Sequence, residues 1–355
     1  MKIVTILGAR PQFVKAAVVS REIQKDKDIR EVIIHTGQHY DKNMSDIFFE
    51  EMEIPLPDYN LNINGLSHGA MTGEMLKGIE GILLTEKPDY VMVYGDTNST
   101  IAGALAAKKI HIKVAHVEAG LRSFNIRMPE EINRILTDRI SDKLFCPTQT
   151  AVDNLMKEGY AALDAAIYKT GDVMLDAALF YAVKAAQKSD IIQRLGLEKF
   201  ILCTIHRAEN TDDLDRLRSI VAAINEISSK TRVVVPIHPR TKSIICKNNI
   251  PVGFEAIDPV GYFDMISLIT KSELVMTDSG GLQKEAFYFG KNCVTLRDET
   301  EWVELVDNGF NVCVGSDTAR ILEGYHTMLQ KDNDFSADLY GKGDASAKIV
   351  AELLK

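Results

Sequence analysis

The sequence predicts an α/β protein of two Rossmann-like domains, each built on a parallel β-sheet that is covered by helices. Three observations support this fold class. Apolar runs of strand length, rich in valine and isoleucine, alternate with amphipathic stretches of helix length. Strands that stay apolar without alternation are typical of parallel sheets buried on both faces. The chain of 355 residues also exceeds the roughly 250–300 residues at which one core stops growing, so two cores are expected.

The two halves of the chain contain the same kinds of element. In the first half, strands are predicted at KIVTIL, EVIIHT, YVMVYG, KVAHVEAG and DKLFCPT, with helices through Val18 and Ile23 and over residues 71–86 and 100–109. In the second half, strands are predicted at FILCTIH, RVVVPIH, GFEAIDP, ELVMTDSGG and NCVTLRD, with helices over residues 213–228 and 262–270 and through Ala286.

These elements divide the chain into a first domain of residues 1–171 and a second of residues 172–339. A last helix, within residues 340–355, is expected to pack back on one of the domains, the first being favoured.

Composition narrows the functional classes. Hydrophobic residues make up 46% and charged residues 26% of the chain, as in ordinary globular proteins. No apolar stretch approaches the ~18–20 residues of a membrane span, and the apolar start is too short for a signal peptide, so a cytoplasmic protein is expected. The net charge of −9 repels phosphate at long range, which argues against nucleic acid as a partner. The five cysteines, none closely paired, are interpreted as buried thiols.

Polar residues follow nearly every predicted strand. In open parallel sheets, ligands collect at the carboxyl ends of the strands, so these positions are the candidates for a functional site. They are Arg10, Lys15, Gln38, His39, Asp96, Thr97, Asn98, Glu118, His206, Arg207, Glu209, His238, Arg240, Asp278, Ser279, Gly280 and Gly281.

The first loop, GARPQFVK, is not a dinucleotide fingerprint. It has one glycine where that fingerprint has three, and no acidic residue closes the second strand, so neither NAD nor another cofactor is expected. Arg10 and Lys15 lie near a helix start, where free amides also favour an anion. The alternative is that both are ordinary solvated cations beside a turn.

The segment DSGGLQKEA is the stronger signal for phosphate. Ser279 is predicted to cap a helix whose first amides, left bare by Gly280 and Gly281, can approach an oxyanion. Glu285, on the following turn, could accept hydrogen bonds from a ribose diol. The alternative is a plain helix cap with a solvated glutamate.

Two histidines, His206 and His238, close strands of the second domain and are candidates for contacting phosphate. A lone histidine is more often structural, so neither is assigned on its own. No close spacing of histidine or cysteine suggests a metal site.

The first domain carries a group of carboxylates that are costly to bury without a purpose. Glu118 ends a strand, and Asp96 follows another, although Asp96 could also be part of a helix cap. Glu130 and Glu131 open a predicted helix, from which both cannot point inward. Arg134, one turn after Glu130, is expected to hold it. Carboxylates around one pocket are suited to removing a proton on one face and returning it on another.

Over its whole length the chain closely resembles the non-hydrolysing UDP-N-acetylglucosamine 2-epimerases. The motifs GARPQFVK, TGQH, YGDTNST, HVEAGLRS, PEEINR, HRAEN, HP, DSGGLQKEA and RDETEW occur in order. The resemblance implies the glycosyltransferase-B fold, with an active site in the cleft between the domains, and a cytoplasmic enzyme that forms a homodimer.

The resemblance also implies roles for the candidate residues. Asp96, Glu118 and Glu130 would serve proton transfer, with Arg134 in support and His206 among the catalytic groups. The residues implied in binding UDP or its diphosphate are Arg10, Lys15, His206, Ser279 and Glu285. The further candidates for binding the substrate are His39, Arg134, His238, Gly280 and Gly281.

The implied reaction interconverts UDP-N-acetylglucosamine and UDP-N-acetylmannosamine by elimination and re-addition of UDP. The chain departs from the common pattern at ARPQ and at TEW, where many members carry Thr-Arg-Pro-Glu and Thr-Glu-Arg. ARPQF, HTGQHYDKNMSDIFFE and TEWVE resemble the branch acting on UDP-2,3-diacetamido-glucuronic acid, which is the first alternative substrate. A glycosyltransferase, a hydrolysing epimerase and a nucleotide-sugar sensor are lower alternatives.

Overall fold

The computed structural model of the protein describes residues 1–38 and 55–355. The described chain forms two compact units, one of residues 1–177 with 338–355 and one of residues 178–337. The chain passes from the first unit to the second inside the helix Val173–Lys188, a little beyond the boundary suggested by the sequence. Each unit contains one parallel sheet with helices between its strands, as the alternating pattern predicts.

The sheet of the first unit has the strand order β3-β2-β1-β4-β5-β6-β7, and the neighbouring strands are parallel. The strands are β1 (Lys2–Leu7), β2 (Arg30–His35), β3 (Tyr59–Asn60), β4 (Tyr90–Tyr94), β5 (Lys113–Val117), β6 (Lys143–Cys146) and β7 (Ala166–Lys169). The helices are α1 (Arg10–Ile23), α2 (His68–Glu86), α3 (Asn98–Lys109), α4 (Pro129–Ile140), α5 (Gln149–Lys157) and α6 (Val173–Lys188). A short 3-10 turn, Tyr160–Ala162, lies between α5 and β7, and the helix Ala345–Leu353 lies at the C-terminal end.

The sheet of the second unit has the order β10-β9-β8-β11-β12-β13 and is also parallel. Its strands are β8 (Ile201–Thr204), β9 (Val233–Pro236), β10 (Glu255–Ile257), β11 (Leu274–Thr277), β12 (Cys293–Thr295) and β13 (Asn311–Cys313). Its helices are α7 (Ile191–Arg194), α8 (Ala208–Thr211), α9 (Leu214–Ser228), α10 (Pro239–Lys247), α11 (Tyr262–Lys271), α12 (Gly280–Tyr288), α13 (Val303–Asp307) and α14 (Thr318–Gln330). The C-terminal helix Ala345–Leu353 is therefore α15.

Every strand predicted from an apolar run is present, whereas β3, β7 and β13 were not predicted. Each of these three lies at an edge of its sheet and is two to four residues long. Edge strands are covered on fewer sides, so they need no long apolar run, and their sequences carry a weaker signal.

The small residues of α3 let it pack closely on the first sheet. A Cβ on Gly103 would lie only 2.6 Å from Cδ1 of Ile6, so the helix could not approach this far with a larger residue. Thr97 caps α3 by accepting a hydrogen bond from the amide of Thr100 at 3.3 Å. The segment between β4 and α3, which contains Asp96, is thereby held between two buried elements.

The C-terminal helix α15 belongs to the first unit. The carboxylate of Asp176, on α6, accepts hydrogen bonds from the amides of Ala345 and Ser346 at 3.1 and 2.8 Å. These amides are the unsatisfied donors of a helix start, so Asp176 acts as a cap supplied by another helix. In the described parts of the chain, no helix is both long and apolar enough to cross a membrane.

Stability of the first unit is predicted to depend on pH through Glu31, on β2. Burial raises the pKa of Glu31, although the hydroxyl groups of Thr5 and Ser20 lower it by hydrogen bonding. The folded protein therefore keeps a proton that the unfolded chain releases near pH 4.5, the ordinary pKa of this group. Accordingly, the contribution of Glu31 to the free energy of unfolding is largest below that pH and falls as the pH rises through the raised pKa.

Replacing Glu31 with Gln mimics the protonated form and should flatten this decline. Urea unfolding at a series of pH values measures it, with Glu74→Gln, an exposed carboxyl on α2, as the control for losing one charge. An E31Q variant with the same slope as the wild type would contradict the assignment.

Candidate active site

The loop after β1 is anchored by Gln12, which lies in the motif GARPQFVK but was not among the residues predicted for the site. The side-chain amide of this buried residue donates to the carbonyl oxygen of Tyr94 at 2.8 Å. Its side-chain oxygen accepts from the backbone amides of Gly8 and Ala9 at 2.8 and 2.9 Å. Gln12 thus ties the loop, from which Arg10 begins α1, to the end of β4.

Lys15, on α1, forms an ion pair with Glu118, which directly follows β5. The backbone of Glu118 has a φ of 71°, in the left-handed region, which costs a residue with a side chain about 1–2 kcal/mol. The amides of Glu118 and Ala119 both donate to the carbonyl oxygen of Phe145 at 3.1 Å and hold this turn. Strain of this kind is typical of residues placed for a function rather than for stability.

Gly95, the residue that follows β4, lies next to this ion pair. Gly95 has a φ of 62°, and a Cβ there would lie 3.2 Å from Oε2 of Glu118 and 3.4 Å from Nζ of Lys15. The amide of Gly95 donates to the carbonyl oxygen of Val117 at 3.0 Å. The left-handed conformation and the limited space both favour glycine at this position, and Asp96 is the next residue.

Arg134, on α4, joins two carboxylates. One guanidinium nitrogen pairs with Asp96, and another lies 2.9 Å from Glu131. Glu131 is 1% exposed, and it also accepts hydrogen bonds from the amides of Ser123 and Phe124 at 3.0 and 2.9 Å. The loop after β5, the start of α4 and Asp96 are therefore connected through one ionic cluster.

The expectation that Arg134 holds Glu130 needs correction. Its partner one turn earlier is Glu131, which points inward, whereas Glu130 is exposed on the first turn of α4. Spacing did not distinguish the two, because residues three and four positions apart are both neighbours on a helix. The role of Glu130 in proton transfer remains a prediction.

A buried charge network behind this cluster was not predicted from the sequence. It consists of His116, Arg122 and Asp138, which are all buried, and Glu158 at its outer end. The one available signal was a histidine within the apolar run KVAHV, since a polar residue there needs a partner. Finding that partner requires the packing of α4 on β5.

In the second unit, Asp278 organises the loop after β8. Its buried carboxylate accepts from the amides of His206 and Arg207 at 3.0 and 2.9 Å and lies 3.1 Å from Nδ1 of His206. Burial acts to raise the pKa of Asp278, but the hydrogen bonds and charge of His206 and the amide of Arg207 bring it below its ordinary value. An ionised Asp278 therefore orients the half-exposed ring of His206.

The DSGG turn begins α12, with Ser279 at the cap position but without a side-chain hydrogen bond to the helix. A Cβ on Gly280 would lie 2.3 Å from Oε1 of Glu301, whereas one on Gly281 would meet no described atom within 4 Å. Gly280 is therefore required for packing, while Gly281 leaves the helix start open to a ligand. Glu285 is 7% exposed, which excludes the alternative of a solvated carboxylate.

Glu301 belongs to a second ionic cluster. Arg297, 3% exposed, contacts Glu301 at 2.9 Å and Glu209 at 3.2 Å. The neighbouring Trp302 is buried, and its ring centre lies 3.9 Å from Nζ of Lys284, a cation–π distance. Trp302, the residue at which TEW departs from the common Thr-Glu-Arg pattern, is thus accommodated inside the second unit by packing against Lys284.

Three further residues, His238, His39 and Arg10, were predicted to bind the substrate. His238 caps α10, where its Nδ1 accepts from the amide of Arg240 at 3.2 Å, so it has a structural role at least. His39 lies outside the described residues. The contacts predicted for Arg10 and His238 with phosphate remain predictions. Over residues 1–38 and 55–355, no group of three or more His, Cys, Asp or Glu side chains is placed to hold a metal ion.

The two parallel sheets define an α/β fold of the glycosyltransferase-B type, which the chain shares with solved UDP-GlcNAc 2-epimerases. The family model described as UDP-N-acetylglucosamine 2-epimerase matches residues 21–354, and the chain belongs to this family of isomerases.

Relatives support the assignment over the full length. The UDP-2,3-diacetamido-2,3-dideoxy-D-glucuronate 2-epimerase of Pseudomonas aeruginosa is 57% identical, covering 100% of both chains. A UDP-N-acetylglucosamine 2-epimerase homolog of Methanococcus maripaludis is 52% identical over 99% of both chains. The crystal structure of the Methanocaldococcus jannaschii UDP-GlcNAc 2-epimerase in complex with UDP-GlcNAc and UDP has a TM-score of 0.92 and 43% identity, covering 100% of this chain and 99% of that one.

The two adjacent glutamates of α4 are predicted to differ in their effect on stability. Glu131→Gln breaks a buried ion pair with Arg134 and should lower the free energy of unfolding by about 2–4 kcal/mol. Glu130→Gln changes an exposed side chain and should cost less than about 0.5 kcal/mol. Urea unfolding followed by circular dichroism compares them, and equal losses would contradict the cluster described above.

The two glycines of DSGG form a second matched pair. Gly280→Ala places a Cβ against Glu301 and should destabilise the protein by about 1–3 kcal/mol. Gly281→Ala meets open space and should be neutral or slightly stabilising, because alanine is the better helix former. Thermal unfolding of the two variants compares their stabilities. A Gly281→Ala variant that loses as much stability as Gly280→Ala would show that packing restricts both positions.

Proposed function

We propose that the protein is a non-hydrolysing 2-epimerase, which inverts C2 of a UDP-linked N-acetylated sugar by eliminating UDP and adding it back. The observation that carries this proposal is the pair of carboxylates at the ends of β4 and β5. Asp96 is held by Arg134 and Glu118 by Lys15. Proton removal and return require acid–base groups in fixed positions, which two separate ion pairs provide.

The chemistry explains why carboxylates are needed. C2 of such a sugar has no neighbouring ketone, so removal of its proton alone gives no stabilised enolate. In the proposed reaction, a carboxylate takes the C2 proton while the C1–O bond breaks, and UDP leaves with the bonding electrons. The glycal that results has a double bond between C1 and C2. A proton returned to the opposite face of C2, as the diphosphate oxygen rebinds C1, completes the inversion.

The residues divide between these tasks. We assign proton transfer to Asp96, Glu118 and Glu130, with Arg134 in support. Negative charge near the ring stabilises an oxocarbenium-like transition state, while cations and amides stabilise the departing diphosphate. His206, oriented by Asp278, is assigned to the diphosphate and to catalysis. The residues assigned to UDP or substrate binding are Arg10, Lys15, His39, His238, Ser279, Gly280, Gly281 and Glu285.

For the sugar, we propose UDP-2,3-diacetamido-2,3-dideoxy-D-glucuronate, with UDP-N-acetylglucosamine as the second candidate. The sequence motifs alone favoured the opposite order. The relative named for the diacetamido sugar shares 57% of its residues with this chain, against 52% for the relative named for UDP-N-acetylglucosamine. Homodimer formation and a cytoplasmic location remain predictions.

Isotope exchange tests the reaction. The protein is incubated in deuterated water with each of the two UDP-sugars, and C2 is followed by NMR. We expect deuterium at C2 together with the 2-epimer, faster with the diacetamido-glucuronate. Faster turnover of UDP-N-acetylglucosamine would select the second candidate. Release of free sugar and UDP would contradict the non-hydrolysing mechanism.

Amide variants test the assigned residues. Asp96→Asn, Glu118→Gln and Glu130→Gln should each lower C2 exchange about 1000-fold or more, because each removes a proton-transfer group. Their UDP affinity, measured by calorimetry, should change only a few-fold, and Glu74→Gln on α2 is the matched control. A fully active Glu118→Gln would remove that residue from the mechanism. Gly281→Ala should instead weaken UDP binding.

A further inference from the structure

The charge network behind the carboxylate cluster has its centre at Asp138, on α4. One of its carboxylate oxygens lies 2.7 Å from Nδ1 of His116. The other accepts from the guanidinium of Arg122 at 2.7 Å and from the amide of Gly120 at 3.1 Å. Arg122 extends the network outward through two hydrogen bonds to Glu158, at 2.7 and 2.8 Å. None of these residues is assigned above to the substrate or to proton transfer.

The partners of His116 determine how many hydrogens its ring carries. Nε2 lies 2.7 Å from the carbonyl oxygen of Gly95, which can only accept a hydrogen bond. Nδ1 faces Asp138. The other oxygen of Asp138 accepts from the guanidinium of Arg122 and from the amide of Gly120, and such contacts favour the ionised carboxylate. Because both neighbours are acceptors, both ring nitrogens must donate.

We propose that His116 is a buried, doubly protonated imidazolium that positions Asp96 and Glu118 for proton transfer. This role rests on the proposed function, whereas the protonation state does not. The ring contacts Asp138 and the carbonyl oxygen of Gly95, so it acts through the backbone of Gly95.

Gly95 connects the imidazolium to both carboxylates. Its carbonyl group belongs to the peptide bond that carries the amide of Asp96, so the bond from His116 fixes the orientation of that peptide. Its Cα faces the Glu118–Lys15 ion pair, as the 3.2 Å and 3.4 Å clearances of a Cβ there show. A ring with a single hydrogen would lose its hydrogen bond either to the Gly95 carbonyl or to Oδ1 of Asp138. In the first case, the bond that fixes the peptide would be lost.

The charges around His116 are balanced. Two cations, His116 and Arg122, face two anions, Asp138 and Glu158, and the Lys15–Glu118 pair lies on the other side of Gly95. Two further ionisable groups lie close to Asp138. Burial and the charge of Asp138 both raise the pKa of Cys146 and of Tyr160, so these groups stay neutral. Removing the charge of Asp138 therefore removes the main interaction that stabilises the second hydrogen on the His116 ring.

Asp138→Asn tests the positioning role, because it keeps the size of the side chain and removes its charge. We expect kcat for C2 exchange to fall about 100-fold or more while KM changes only a few-fold, and the alkaline limb of the pH profile to move to lower pH. Glu158→Gln removes the outer partner of Arg122 but leaves the His116–Asp138 contact, so it should keep kcat within about 3-fold. A D138N variant with unchanged kcat and pH profile would overturn the role, as would equal losses in both variants.

NMR of the histidine ring nitrogens tests the protonation state without any assay of turnover. In the wild-type protein at neutral pH, the His116 signals, assigned by their loss in a His116→Gln variant, should show hydrogen on both nitrogens. A ring with one hydrogen would overturn the proposal even in an active enzyme. Conversely, two hydrogens in a protein that turns over neither UDP-sugar would show that the proposed function, and not the imidazolium, has failed. If D138N does not fold, H116Q provides the kinetic comparison.

Discussion

The candidate site depends on how two neighbouring parallel strands end. β4 and β5 are paired with Tyr94 opposite Val117, so the residues that follow, Gly95 and Glu118, leave the sheet at the same level. Both have left-handed backbone conformations, which turn the chain out of the sheet instead of extending it. The Glu118 carboxylate therefore meets Lys15 at the sheet edge. Such a charge is tolerated there because it has a partner.

Both units use a buried aspartate to hold a histidine beside a strand end. Asp138 contacts His116 in the first unit, and Asp278 contacts His206 in the second. The consequences differ because the second ring nitrogen has a different environment in each case. The ring of His116 is enclosed and faces a carbonyl group, whereas the ring of His206 is 46% exposed. The same pair of side chains can thus position a backbone in one unit and present an imidazole in the other.

Much of the fold could be predicted from the sequence, because buried parallel strands must be apolar along their whole length. The short edge strands escaped prediction because they lack such runs. At the candidate site, the sequence indicated candidate positions but not which side chains pair there. It could not separate Glu130 from Glu131 as the partner of Arg134, nor the packing role of Gly280 from the open position of Gly281.

The sequence by itself determined the two α/β units, the polar strand ends and the family, because each follows from local pattern or from motifs in order. Only the tertiary structure decided which charges pair and which acid is buried. Those properties depend on residues far apart in the chain, such as His116 and Asp138 or Lys15 and Glu118, that meet only after the helices pack on the sheet. Burial then makes an unpaired charge costly, and this cost selects the partners.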